Sequence, residues 1–195
     1  MADEDIIVLD LETQKSFEEV GGRDRLDRLL ISVVGIYSYE RDQFLTYTEP
    51  ELLNLFPILE SAKLVVGFNI KRFDYSVLQP YYHRTLSQLP TLDILEEVVK
   101  SLGHRLRLET LAQATLGRGK LGTGLDALRY FQQGDMEKLK SYCLEDVRVT
   151  RDIYEYGKLH KKLLYHDRLG EKILSLNVLW EDPPPRQNTL QLQLP

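Results

Sequence analysis

The sequence has a single cysteine, Cys143, only four histidines, and no apolar run long enough to cross a bilayer. One cysteine excludes an internal disulfide and a cysteine zinc site, and it fits a reducing compartment. His83, His104, His160 and His166 are scattered along the chain, which argues against zinc. A bilayer span needs about 20 consecutive apolar residues, so no membrane segment is expected. There is no internal repeat and no G-K-[ST] phosphate loop. The acidic start, Met1 to Asp5, enters a strand pattern at once, so a leader peptide is not expected and the protein reads as cytoplasmic.

Excess positive charge is missing too. The formal net charge is −5 over 195 residues, which argues against a surface that binds nucleic acid everywhere. The distribution is uneven. Residues 1 to 30 are acid-rich, while Arg105, Arg107, Arg118 and Lys120 make one basic stretch and Lys158, Lys161 and Lys162 another. Each stretch alone reads as a solvated face. With 43% hydrophobic residues, the chain suits one globular domain with a sizeable core, or a domain plus an appendage.

Apolar patterning gives a strand at about residues 5–12, a β-rich run at 29–40, and its hairpin partner at 44–48. Residues 49–62 show helical spacing, with Pro57 expected to kink or end the helix. A short buried strand follows at 63–69, then a helix start for which Asn69 could be the N-cap. Residues 90–95 read as a fifth strand or a helix entry, and 95–117 as helix broken by glycines. A long helix runs from about Asp135 to 163, and a hairpin turns at Asp167 to Gly170. The order predicts an α/β fold with a mixed sheet containing a βαβ unit. The expected division is a domain at 1–163, a hairpin extension at 164–182, and a Pro/Gln-rich tail at 183–195 read as disordered.

Carboxylates stand where this plan leaves no apolar use for them. In a strand, residues i and i+2 share a face, so Asp10 and Glu12 project together at the end of the first strand. Two such charges repel unless a cation lies between them or one takes a proton. Emergence of the strand into solvent explains the pair equally well. Asp74 follows the short strand at 63–69, in the first turn of the next helix, where the helix dipole alone would favour an acid. If the two strands are parallel neighbours, all three acids reach one carboxyl edge, where open α/β sheets bind ligands. Tyr142 and Asp146 lie i, i+4 on the long helix, beside an apolar stripe. Oxygen-only ligands from separate segments suit hard cations such as Mg²⁺ or Mn²⁺.

D-x-E at Asp10 to Glu12, N-x-x-x-F-D at Asn69 to Asp74, and Y-x-x-x-D at Tyr142 to Asp146 resemble the three motifs of the DEDD superfamily of 3′–5′ exonucleases. Their order and separations of roughly 60 to 70 residues are similar to the exonuclease domain of family B DNA polymerases and to helicase-associated bacterial domains. Tyrosine four residues before the last Asp places the resemblance in the tyrosine branch. The resemblance implies a ribonuclease H-like fold, with a central five-stranded mixed sheet flanked by helices. It implies that Asp10, Glu12, Asp74 and Asp146 hold two divalent cations, Mg²⁺ or Mn²⁺, and that Tyr142 orients or helps deprotonate the attacking water. It also implies that Leu11 and Thr13 meet the terminal nucleotide, with Asn69 and Phe73 on the substrate side. The substrates would be single-stranded DNA or RNA 3′ ends, with a helicase or polymerase as a possible partner. Gln14 and Lys15 depart from the small residues that the family often carries there.

Other signals have plainer readings. Gly117 to Gly122 matches G-x-G-x-x-G, but it follows a helix, so it is a connecting or phosphate-touching loop rather than a dinucleotide site. Asp93 reads as a helix cap before a fifth metal ligand. Tyr75, Tyr81, Tyr82 and Tyr130 could stack bases or simply pack. A catalytically silent interaction module on the same fold, or an endonuclease, are the alternative functions.

Overall fold

The computed structural model describes residues 5–119, 124–167 and 170–180. Lys120 to Gly122 of the glycine-rich loop and the tail at 183–195 lie outside the described residues. Strands β1 (Ile6–Thr13), β2 (Ile31–Ser38), β3 (Gln43–Thr48), β4 (Leu64–Gly67) and β5 (Thr91–Asp93) form one sheet in the order β3-β2-β1-β4-β5. The first three strands are antiparallel, while β1, β4 and β5 run parallel. This is the mixed five-stranded sheet expected. β1 lies at its centre, which is why Ile7, Val8 and Leu9 are a continuous buried run.

Helices cover both faces. α1 (Leu52–Ser61) and the short α2 (Asp74–Leu78) pack on the row formed by Ile7, Leu9 and Leu11. α3 (Ile94–Leu102), α4 (Leu108–Leu116) and the long α6 (Met136–His160) cover the face that holds Val8 and Val66. Strand alternation therefore carries Asp10 and Glu12 onto the face under α6, and Leu11 onto the opposite one. α5 (Gly124–Gln132) packs beside α6 through Ala127, in a cluster with Val33, Leu139 and Tyr142. Strands β6 (Lys162–His166) and β7 (Ile173–Asn177) form a separate hairpin. Its Leu163 and Leu176, with Val178 and Trp180 after it, join the cluster under α6. The Trp180 ring stacks on Tyr154 at 5.6 Å, and Gly157 leaves room for it, since a Cβ there would collide with the indole.

Several expectations are corrected. Pro57 sits inside α1 without ending it. Its ring and Leu53, whose carbonyl loses the amide partner, are both exposed, so water can satisfy that group. Asn69 is not the N-cap of α2; Phe73 is. Asn69 instead has φ +64°, a left-handed turn that asparagine tolerates, and its carbonyl accepts the Phe73 amide at 3.0 Å. Residues 90–95 are both readings at once, because Asp93 ends β5 and caps α3 through the Leu95 and Glu96 amides. The long helix stops at His160, where Lys161 turns left-handed at φ +56°, rather than running to 163. No helix among the described residues is long and apolar enough to cross a membrane.

Candidate metal centre

β1 outruns its parallel neighbour. Pairing with β4 ends at Val8 opposite Val66, and β4 turns away after Gly67. Asp10 to Thr13 thus project past the carboxyl end of β4, the usual ligand position in open parallel sheets. On the other side β1 stays paired to β2, with Asp10 opposite Gly35 and Glu12 opposite Val33, until a bulge before Thr13. The strand end is held rigidly on one side and opens a crevice on the other.

α6 closes that crevice. Carboxylate oxygens of Asp10, Glu12 and Asp146 all lie within 4.8 Å of one another, and all three side chains are partly exposed. A hard cation with oxygen ligands at about 2.0–2.6 Å can bridge such a set. Tyr142, one turn before Asp146, is buried and lines the same cavity as the three acids. Its phenol is pushed up by burial first, then by the charges of Asp146, Glu12 and Asp10. The same three charges, after burial, raise the neighbouring Cys143 thiol. That thiol is buried and contacts the β1 backbone, so its role is packing.

Asp74 stands apart from this group. It enters with α2, which packs against the Leu11 face of the sheet, and it is almost fully buried. Burial pushes its carboxyl up to about 8, and repulsion from Asp93 adds to this, while its own amide and the Leu11 amide pull the other way. Its Oδ1 is buried without a hydrogen-bond partner. Orphaned buried oxygens are rare in native proteins and mark places where an ion or water belongs. The all-oxygen cluster of Asp10, Glu12 and Asp146 fits a divalent cation, and the orphaned Asp74 oxygen is a separate unfilled acceptor.

A cavity of about 400 Å³ joins most of these residues. Asp10, Glu12, Tyr142 and Asp146 form its acidic wall, and Leu11, Thr13 and Phe73 also line it. Thr13 is fixed by a bond from its hydroxyl to the Lys15 carbonyl at 3.0 Å. Gln14, the departure from small residues, turns its amide outward to the Ile31 carbonyl and Glu49, both at 2.8 Å. The opposite wall is apolar and comes from places the sequence did not single out: Phe17, Leu29, Leu125 and Leu128. Leu125 and Leu128 belong to α5, a helix absent from the pattern reading, although Leu125, Leu128 and Phe131, three residues apart, carry the signal after the glycine-rich loop.

Asn69 lies elsewhere, in a neighbouring hollow, where its Oδ1 accepts from Arg105 at 2.7 Å. Asp93 is occupied as scaffold: it accepts the Asn69 amide at 2.8 Å and the Lys71 amide at 3.1 Å, besides capping α3. Tyr75, Tyr81 and Tyr82 bond to Thr91, Glu49 and Glu60, away from the cavity. Tyr130 stacks under Arg129. Arg118 pairs with Asp152 at 2.7 Å, and Gly117 ends α4 in a left-handed turn, which leaves no strand before the glycine-rich segment.

A family model for the RNase H superfamily matches residues 9–157, a span that holds all three motifs. No curated protein matches the chain. Among solved structures, the family B DNA polymerase from the hyperthermophilic archaeon Pyrobaculum calidifontis is similar, with a TM-score of 0.59 and 16% identity. The match covers 80% of this chain and 24% of the polymerase, so the chain spans about a quarter of that protein's length. At this identity the likeness is one of fold.

Proposed function

Since this chain belongs to the RNase H superfamily, we propose that it is a metal-dependent 3′–5′ exonuclease of the tyrosine DEDD branch, acting on single-stranded DNA or RNA ends. The observation that carries the reading is the meeting of Asp10, Glu12 and Asp146 within 4.8 Å, beside Tyr142. These acids come from opposite ends of the matched region, and a shared cation would offset the repulsion that their approach builds up. The intact acid set argues against a catalytically silent module.

Asp10, Glu12 and Asp146 are the primary ligands, and the orphaned oxygen of Asp74 supplies the fourth acid. Two bound divalent cations, Mg²⁺ or Mn²⁺, would stabilise charge on the attacking and leaving oxygens. Tyr142 orients the attacking water against the terminal phosphodiester. Water adds to phosphorus, the bond to the 3′ oxygen breaks, and a proton passes to that oxygen. A nucleoside 5′-monophosphate leaves, and the strand is one nucleotide shorter. Leu11, Thr13 and Phe73 seat the terminal nucleotide, with Leu125 and Leu128 across the cavity as an apolar surface for the base.

We assign catalysis to residues 1–163, with the hairpin at 164–182 as an extension and 183–195 as a tail. A cytoplasmic setting follows from the cysteine usage. A polymerase or helicase partner belongs to the same reading, on the resemblance of the three motifs. The test is a time course on 5′-labelled DNA and RNA oligonucleotides with Mg²⁺, Mn²⁺ or chelator. Stepwise shortening to mononucleotides, abolished by chelator, is expected. Internal fragments would make it an endonuclease, and intact strands with binding would make it an interaction module.

A further inference from the structure

Beside the acidic cavity lies a second hollow of about 220 Å³ with opposite chemistry. It is lined by Arg23, Arg72 and Arg105, with Leu26 and Asn69, and it has no carboxylate. Phe17 and Phe73 line both spaces, so the two are neighbours across a pair of aromatic rings, whose centroids are 6.1 Å apart. All three arginines are exposed, and among the described residues none makes an ion pair. Among the described residues eight other basic groups are taken up in ion pairs, so these three guanidinium groups keep their charge for another partner.

The guanidinium groups are also held. Arg23 stacks over the Phe17 ring at 5.0 Å. Arg105 donates to Asn69 Oδ1 at 2.7 Å. Asn69 can reach it because its backbone adopts φ +64°, fixed by the Asp93 carboxylate on its amide. One bond to a neutral oxygen leaves most of the Arg105 donors free for an anion. Arg72 immediately precedes Phe73 and lines the same hollow. The acids on its far side, Asp93 and Glu96, are committed to backbone amides and to Lys71.

We propose that Arg23, Arg72 and Arg105 form a phosphate rail that grips the backbone of a single polynucleotide strand where it leaves the catalytic cavity past Phe17 and Phe73. This rests on the nuclease reading for its direction but not for its chemistry. The arginine fork matches phosphate oxygens bidentately, and the flanking rings suit the unstacked bases of a single strand. Asn69 acts here as a positioning residue, through Arg105.

The test is binding of fluorescent single-stranded DNA and RNA, and of blunt duplex, with EDTA present so that nothing is consumed. Each phosphate contact contributes about 0.7 to the slope of log affinity against log salt for single strands. The triple variant Arg23→Ala/Arg72→Ala/Arg105→Ala should lower that slope by about 2 and weaken binding at moderate salt on the order of 10- to 100-fold. Arg84→Ala, in a different hollow, should leave both unchanged. Loss on both polymers, or on one, supports the rail and identifies its strand. An unchanged slope on both, or a loss confined to duplex, overturns it. If the wild type binds with this slope yet cleaves nothing, the nuclease reading falls and the rail stands. If it cleaves and the slope does not move, the reverse holds.

Discussion

The thiol of Cys143 lies 3.6 Å from the carbonyl oxygen of Asp10 and points its weak donor at it. Helix α6 therefore rests directly on the strand that carries two of the acids. Opposite Asp10 in the sheet is Gly35, and a Cβ there would come within 2.9 Å of the Cys143 sulfur and 3.1 Å of Val147. Gly35→Ala should push α6 outward, costing on the order of 1–3 kcal/mol of stability. It should also lower hydrolysis, because Asp146 and Tyr142 move with the helix. Adding Cys143→Ala should return part of both losses. Thermal melts and rates for the two variants check this, and a fully active, fully stable Gly35→Ala would contradict it.

Metal affinity can be read without catalysis. A ligand that binds only the folded state raises stability, by about 1.4 kcal/mol when it is tenfold above its dissociation constant. For a domain of this size that is a shift of roughly 2–4 °C per kcal/mol. Mn²⁺ or Mg²⁺ should raise the melting temperature of the wild type. Asp10→Asn and Asp146→Asn should flatten the response and abolish hydrolysis. A response that persists in both variants places the cations elsewhere.

Tyr142→Phe separates water orientation from ligand holding. Its phenol lies among the charges of Asp146, Glu12 and Asp10 and contributes no carboxylate. Hydrolysis should fall on the order of 100-fold, the scale set by misplacing a reactant, with the metal-induced melting shift kept. Equal loss of that shift would make the tyrosine a structural support for the ligands.

Asp74 ties stability to pH. Its folded value is raised from 3.8 to about 8 by burial, so the folded chain keeps a proton that the unfolded chain has lost. Its contribution favours folding below the ordinary carboxylate range and is lost as pH rises toward 8. In chelator, Asp74→Asn should therefore be more stable than the wild type, increasingly so from pH 5 to about 8, while hydrolysis falls. Melts across that range decide it. A wild type that gains on the variant as pH rises would contradict the buried, unpartnered carboxylate.

The hairpin gives a separate test. Gly157→Ala places a methyl against the Trp180 indole and should displace it from Tyr154. Overpacking of this kind costs on the order of 1–3 kcal/mol. Hydrolysis should persist if residues 164–182 are an extension. Parallel loss of activity and hairpin packing, followed by tryptophan fluorescence and rate, would make the hairpin part of the catalytic unit.

Much of this site was legible because it obeys short periods. Asp10 and Glu12 share a face by strand alternation, and Tyr142 and Asp146 by helical spacing, so each pair could be placed from sequence. Their meeting needed only a parallel β4 and a helix over the right face. Asp74 was less legible because strand order does not say which face α2 covers, and it covers that of Leu11. Asn69 at a strand end looked like a cap, and a left-handed backbone held from outside by Asp93 leaves no local mark. The arginine cluster left no joint mark either: Arg105 stood in a basic stretch, but Arg23, Arg72 and Arg105 come from three distant loops and share no period.

The long reach between β1 and α6 also governs when the site can exist. Asp10 leaves the ribosome early, and Asp146 emerges only after most of the domain has been made. Until the late helix docks, Asp10 and Glu12 have no third acid beside them. Such non-local closure slows folding, so the third acid joins the first two only as the last large helix settles on the sheet.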